Sequence, residues 1–138
     1  MDADIHIFVY GTLKPGATNF DRYCGGKVVK IQRGYVEGCL YDLPLLGYPG
    51  MTHGTDRVHG FILSFHDRTI LTELDELEDY HPSRQPAENE YTRELVNAYT
   101  LDGNIYVSAW VYLMNLDRIE QLDGIVLPDG WWEGSTIL

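Results

Sequence analysis

The chain of 138 residues, with 44% apolar and 22% charged side chains, has the composition of an ordinary folded protein, and we expect one domain spanning residues 1–138. Its net charge of −11 argues against nucleic acid and anionic membranes as partners, because both require clustered Lys and Arg. The first residues contain no basic segment followed by a long apolar run, and Cys24 and Cys39 form no CxxC pair. We therefore predict a cytoplasmic protein with two free thiols.

The first third of the chain predicts strands separated by a polar, glycine-bounded segment. Residues 5–11, IHIFVYG, are almost wholly apolar, as is typical of a strand buried on both faces. Residues 16–26, GATNFDRYCGG, have room for a short helical turn. Residues 27–43 carry β-branched and aromatic side chains in two runs that divide near Gly34 and Gly38, which predicts two strands or one bulged strand.

The middle of the chain contains the clearest helix signal. Residues 44–54 are rich in Pro and Gly and predict a loop, whereas residues 58–65, VHGFILSF, predict a strand. We predict a helix from Asp67 to Asp79, because Asp67 is a favourable N-cap residue and His81-Pro82 ends the helical pattern.

The last third of the chain predicts a β-hairpin. The segments Tyr91–Thr100 and Asn104–Met114 are rich in strand-forming residues and are separated by Asp102-Gly103, a strong turn signal. Runs of strands with one or two helices inserted indicate an α+β fold. We expect a small, mainly antiparallel, barrel-like sheet with one or two packed helices.

One carboxylate of the predicted helix lies on its apolar side. At about 100° per residue, four apolar residues fall within one arc of about 120° that should face the core: Ile70, Leu71, Leu74 and Leu77. Four acidic residues fall outside this arc: Glu73, Asp75, Glu76 and Asp79. Glu78 falls inside it, so the sequence predicts that this carboxylate points inward.

An inward carboxylate has three interpretations, because burial without a partner is costly. Glu78 could form a structural ion pair with Arg57, Arg84 or Arg93. It could also lie at a frayed helix end and be exposed. Alternatively, it lies at the edge of a cavity with a raised pKa, which would suit it to exchange protons near neutral pH.

A second stretch, YGTL at Tyr10, Gly11, Thr12 and Leu13, follows the first predicted strand. A glycine-containing turn of this kind either only ends the strand or presents backbone N–H groups to an anion or oxyanion. Together with an inward carboxylate, such a turn would bind an oxygen of a substrate while the carboxylate moves a proton. That chemistry requires no metal and no redox cofactor.

These segments give the chain a family resemblance. It resembles the γ-glutamylcyclotransferase family, on the branch of AIG2-like and γ-glutamylamine cyclotransferase proteins. The matching segments occur in the family's order and cover most of the chain: VYGTLKPGATN, GCLYDLPLLGYPG, VHGFILSF, LDELEDY, YTRELV and AWVYL. The YGTL turn followed at this separation by LDxLE is the specific part of the signature.

The resemblance implies a compact α+β barrel-like fold and a cofactor-independent reaction. In this reaction, the α-amine of a small-molecule γ-glutamyl substrate attacks the γ-carbonyl, giving 5-oxoproline and a released amine or amino acid. Glu78 matches the family's general acid/base, and the Tyr10–Leu13 turn matches its binding loop. Asn19 matches a residue that supports this loop, and Tyr91 and Arg93 match a YxR strand near the site.

The sequence departs from the family's pattern at three places around the predicted site. Asp79 occupies a position that is often Gly in relatives, the loop before Tyr91 is longer than in compact members, and the tail DGWWEG has an unusual form. These departures bear on the leaving group, which the sequence does not specify, as it does not specify the oligomeric state. A rival interpretation is a binding or regulatory module without turnover, but such a module has no need of an inward Glu78.

Overall fold

The computed structural model describes residues 4–17, 19–85 and 88–133, and within them it has the predicted α+β architecture. The elements in chain order are β1 (Ile5–Val9), α1 (Phe20–Tyr23), β2 (Val28–Leu43), β3 (Tyr48–Phe65), α2 (Thr69–Leu77), β4 (Thr92–Tyr99), β5 (Ile105–Leu113), α3 (Leu116–Gln121) and β6 (Ile125–Val126). The short helix α3, which Asn115 caps by accepting a hydrogen bond from the Asp117 amide at 2.8 Å, had no counterpart in the sequence analysis.

The sheet is mainly antiparallel and closes on itself. Its strands run in the order β3-β1-β5-β4-β2-β6, and β2 also pairs with β3. Among the described strands, β1 and β5 are parallel and the other pairs are antiparallel. The additional pairing of β2 with β3 joins the two sides of the sheet, so the predicted barrel-like closure is confirmed.

The pairing of β2 with β3 shows which alternative is right for residues 27–43, two strands or one bulged strand. It also contradicts part of the loop predicted for residues 44–54. The segment forms one bulged strand, with a register irregularity between Gly38 and Cys39. The loop predicted for residues 44–54 is confirmed for residues 44–47 but is wrong from Tyr48 onward, because β3 begins there. Pro49 lies next to the first residue of this strand, where a missing N–H group costs little. Long-range pairing with β2 therefore outweighs the local Pro and Gly signals.

Strand β1 is apolar except for His6 because it contributes to two hydrophobic clusters. Ile5, Ile7 and Val9 belong to a cluster that also contains buried residues of α2. Phe8 and Tyr10 belong to a second cluster, built from all five long strands. Alternate side chains of a strand point to opposite faces, so both faces of β1 are buried, as the sequence predicted.

Helix α2 is two residues shorter at each end than predicted, and Arg68 occupies the N-cap position that was predicted for Asp67. The Asp67 carboxylate accepts a hydrogen bond from the Thr69 amide at 2.9 Å, which holds the pKa of this exposed carboxyl below its ordinary value. Ile70, Leu71 and Leu74 are buried, which confirms the predicted apolar face. Within the described residues, no helix has the length and apolar character needed to span a membrane.

Candidate active site

A cavity of about 140 Å³ opens at one edge of the sheet. At this edge β1 and its parallel neighbour β5 end, and β4 begins, since Thr92 pairs with Leu113. The C-terminal end of α2 and the start of β3 complete the wall. The cavity is lined mainly by Tyr10–Leu13, Tyr48–Pro49, Leu77–Glu78, Glu90–Tyr91 and Tyr112.

Glu78 lies in the cavity wall with its side chain half-buried. Burial, followed by the negative charge of Glu90, raises the pKa of Glu78 to about 8. The prediction of an inward-pointing carboxylate is confirmed, and the alternative of a frayed, exposed end is wrong.

The three arginines considered as partners of Glu78 all bind elsewhere. Arg93 forms an ion pair with Asp75, and Arg84 contacts Asp79. The Arg57 guanidinium lies over an aromatic ring, that of Tyr35, at 4.5 Å. Within the described residues, the Glu78 carboxylate has no ion pair and no hydrogen bond. The interpretation of Glu78 as a structural ion-pair partner therefore fails.

The end of α2 explains why Glu78 faces the cavity although it lies one residue beyond the helix. The Tyr80 amide donates to the Asp75 carbonyl at 2.9 Å and the Asp79 amide to the Glu76 carbonyl at 3.2 Å, which is the Schellman pattern. Asp79 adopts a φ of 53°, in the left-handed region that favours glycine. Asp is among the non-glycine residues that tolerate this conformation.

The Tyr10–Leu13 turn lines the cavity and contains backbone N–H groups that are not used within the described residues. The Lys14 amide donates back to the Gly11 carbonyl at 3.1 Å and closes the turn. Within the described residues, the amides of Gly11, Thr12 and Leu13 donate no hydrogen bond. Asn19 supports the turn as expected, since its side chain donates to Thr12 Oγ1 at 2.9 Å and its amide to the Thr12 carbonyl at 2.8 Å.

Two buried tyrosines hold the cavity walls together. Tyr91 donates its hydroxyl to the Pro49 carbonyl at 2.6 Å, and Tyr10 donates to the Tyr112 carbonyl at 2.6 Å. Burial raises the pKa of Tyr10 and of Tyr91 well above the ordinary value, so both remain protonated donors. Tyr91 thus lies in the site, as expected, and shapes it through the backbone of β3.

Arg93 does not belong to the described cavity lining. Its Nε and Nη2 donate to the two carboxylate oxygens of Asp75 at 2.8 and 3.1 Å, and the Tyr112 hydroxyl donates to Asp75 Oδ1 at 2.8 Å. These contacts tie β4 and β5 to α2 three residues before Glu78. The contacts of Arg93 in this structure therefore position the helix that carries Glu78.

Three polar residues of the described cavity lining were not predicted as site residues: Tyr48, Glu90 and Tyr112. Tyr48 donates its hydroxyl to Glu90 Oε1. Tyr48 lies in the segment that was predicted as a loop. Glu90 follows the long loop 81–90, in which residues 86 and 87 lie outside the described part of the chain, and no periodicity marks it.

Lys14, which follows the Tyr10–Leu13 turn, contacts the tryptophan pair of the tail, Trp131 and Trp132. Lys14 is buried, with 6% of the residue exposed, and its ammonium group donates to the Trp132 carbonyl and lies 3.6 Å from the centre of the Trp131 ring. Burial lowers the pKa of Lys14 to about 8. The Trp132 indole donates to Asp42 at 2.9 Å in the core. Trp132 thus belongs to the second hydrophobic cluster, while Gly134 of DGWWEG lies outside the described residues.

Within the described residues, the Cys, His, Asp and Glu side chains form neither a disulfide nor a metal-binding cluster. Cys24 is fully buried, which raises the pKa of its thiol to about 11, and neither it nor Cys39 is in a disulfide. No three His, Cys, Asp or Glu side chains of the described residues converge in a way that could hold a metal ion.

The family is decided by a comparison that covers almost the whole chain. Residues 7–134 match the model of the family described as gamma-glutamyl cyclotransferase, AIG2-like. The chain belongs to this family. Membership supports a γ-glutamyl cyclotransferase-like function in general terms. No curated protein is similar enough in sequence to count as a match.

Solved structures share the fold. An AIG2-like protein from Mus musculus is 23% identical, with 96% of this chain and 90% of that chain covered and a TM-score of 0.61. The protein ytfP from Escherichia coli is 27% identical, with 94% and 96% covered and a TM-score of 0.60. YkqA from Bacillus subtilis is 19% identical, with a TM-score of 0.63; 94% of this chain is covered, but the chain spans only 40% of YkqA.

Proposed function

We propose that this protein is a cofactor-independent γ-glutamyl cyclotransferase that releases 5-oxoproline and an amine or amino acid, with Glu78 as its general acid/base. The observation that carries the proposal is the presence of two complementary groups in one small cavity. The Glu78 carboxyl lies on one wall and the N–H groups of Gly11, Thr12 and Leu13 lie on another, and neither has a hydrogen-bond partner among the described residues.

The turn supplies the binding half of the proposed mechanism. The amides of Gly11, Thr12 and Leu13 would donate hydrogen bonds to an oxygen of the γ-glutamyl group, and they require no reorganisation to do so. A cavity of about 140 Å³ would fold a flexible substrate back on itself. Because the attack is intramolecular, holding the α-nitrogen close to the γ-carbonyl carbon provides much of the rate acceleration.

Glu78 supplies the proton transfers. Its carboxylate takes one proton from the substrate's α-ammonium, and the neutral amine attacks the γ-carbonyl carbon to form the lactam C–N bond. The C–N bond to the leaving amine breaks as Glu78 returns the proton to that nitrogen. A second proton then passes from the ring nitrogen to the released amine by the same route. The products are 5-oxoproline and a protonated amine, and Glu78 is again a carboxylate.

A release assay tests the proposal and identifies the leaving group. Formation of 5-oxoproline is measured with γ-glutamyl amino acids, γ-glutamyl amines and glutathione, using wild-type protein and Glu78→Gln. We expect turnover of one substrate class and its loss in the variant. If no substrate yields product while 5-oxoproline still binds to the folded protein, the result favours a binding module without turnover.

The absence of a cofactor requirement is a separate prediction. Since the proposed steps use only backbone amides and a protein carboxyl, 5-oxoproline release is expected to be unchanged after dialysis against EDTA. The rate is compared before and after chelation with the best substrate of the assay. A loss of activity that added zinc restores contradicts this part of the proposal.

A further inference from the structure

We propose that Glu90 is the specificity-determining residue that binds the α-ammonium group of the substrate. The inference rests on the proposed function, because it assigns one group of the γ-glutamyl substrate to a second carboxyl of the same cavity.

Glu90 is held in place from two sides. Its amide donates to the Asp79 carbonyl at 3.2 Å, which fixes its backbone next to the end of α2 and therefore next to Glu78. Its Oε1 accepts the hydroxyl of Tyr48, and burial together with this carboxylate raises the pKa of Tyr48, so that the phenol remains a donor. Its second oxygen, Oε2, accepts no hydrogen bond from a described residue. One carboxylate oxygen is thus fixed and the other is available to a ligand.

The charge of the cavity favours a cation at this position. Its described lining contains two carboxyl groups, Glu78 and Glu90, and no Lys or Arg. The negative charge of Glu90 helps to raise the pKa of Glu78, so Glu78 largely retains its proton near pH 7 in the empty site. An ammonium group placed on Glu90 compensates that charge and makes ionisation of Glu78 easier. Binding of the substrate's cation would therefore prepare Glu78 to accept a proton.

In this arrangement the two walls of the cavity bind different groups of the substrate. The N–H groups of the turn would take an oxygen of the substrate, and the Glu90 carboxylate would take its nitrogen. A γ-glutamyl compound whose α-amine is missing should then lose affinity, whereas a change in the leaving group should not affect this contact. If Glu90 served only to hold the loop against Tyr48, its removal would affect compounds with and without the α-amine equally.

Two small probes test the assignment without requiring turnover. L-glutamine is a γ-amide that carries the α-ammonium, and glutaramate is the same molecule without the amino group. Dissociation constants are measured by NMR titration for wild-type protein, Glu90→Gln and Glu88→Gln, the last removing an exposed carboxylate two residues away. We expect wild-type protein to bind L-glutamine at least about tenfold more tightly than glutaramate, as for a charge-assisted hydrogen bond.

The variants decide between a recognition role and a structural role. Glu90→Gln should weaken L-glutamine binding about tenfold or more and leave glutaramate binding unchanged or tighter, whereas Glu88→Gln should change neither. Equal weakening of both probes by Glu90→Gln, or wild-type protein that does not prefer L-glutamine, overturns the assignment. The wild-type preference is informative even if Glu90→Gln does not fold. Because binding alone is measured, failure here is distinct from failure of the 5-oxoproline assay.

Discussion

Replacing Glu78 with Gln is expected to lower kcat for 5-oxoproline release by about 10²- to 10⁴-fold, the usual contribution of general acid–base catalysis. Glutamine has nearly the same size and retains an oxygen, so it should occupy the same position in the cavity wall. It cannot accept and return a proton at neutral pH. The expected signature is a large fall in kcat with little change in KM, measured by steady-state kinetics with the best substrate of the panel.

A matched control is available on the same helix. Glu76 is exposed and lies two residues earlier, so Glu76→Gln makes the same chemical replacement near this helix end without reaching the cavity. We expect this variant to retain wild-type kcat, and circular dichroism should show both variants folded. Activity in Glu78→Gln within about threefold of wild type would refute the role of this carboxyl as the proton carrier.

Gly11→Val is expected to lower kcat/KM by about 10²-fold or more, because small displacements of a binding element are costly. A Cβ atom at Gly11 would lie 2.8 Å from Pro49 Cγ and 2.9 Å from Pro49 Cδ. The Pro49 ring is rigid, and its carbonyl already accepts the Tyr91 hydroxyl. The turn must therefore move, which displaces its N–H groups. Binding of 5-oxoproline by NMR titration and kcat/KM with the best substrate measure the effect.

Thr12→Ser provides the mild counterpart in the same turn. Serine retains the hydroxyl that accepts the Asn19 side chain, and the backbone N–H is unchanged, so an effect within about threefold is expected. Thermal unfolding of each variant separates loss of binding from loss of fold. A folded Gly11→Val protein that binds and turns over substrate normally would show that the N–H groups of the turn are not the binding element.

Features with a local signal were predictable from the sequence. Asp102-Gly103 marked the position of the hairpin, although the connection is a three-residue loop over residues 101–103, in which the Gly103 amide donates to the Thr100 carbonyl at 2.9 Å. Gly103 has a φ of 89°, which explains the choice of glycine. The spacing of apolar residues located α2 and its buried face. Glu78 could be assigned an inward direction because the Schellman cap continues the helical path for one more residue before the chain turns at Asp79.

Features that depend on contacts between distant segments were not predictable. The bond between Tyr48 and Glu90 joins residues 42 apart, and the bond between Lys14 and Trp132 joins residues 118 apart. Neither hydrophobic periodicity nor turn-forming residues near these positions predict which residues they contact. The loop predicted for residues 44–54 was wrong from Tyr48 onward for the same reason, because the strand character of these residues comes from pairing with β2 and not from their own sequence.

The proposed function requires the Glu78 carboxyl to exchange protons near neutral pH. A titration of Glu78 tests this requirement most directly. Titratable groups on the surrounding elements that face this carboxyl are Glu90, Tyr10, Tyr48, Tyr91 and Tyr112. Each tyrosine has a raised pKa and remains neutral in this range, so none competes with Glu78.

The measurement follows the side-chain carboxyl carbons by NMR in protein labelled with ¹³C-glutamate, with Glu78 assigned from its missing signal in Glu78→Gln. Because burial and the charge of Glu90 favour the protonated form, Glu78 should remain neutral through the acidic range and ionise with a pKa of about 8. The limb of kcat/KM that rises with pH should share this midpoint. A Glu78 signal that titrates near the ordinary pKa of 4.5 would contradict the account.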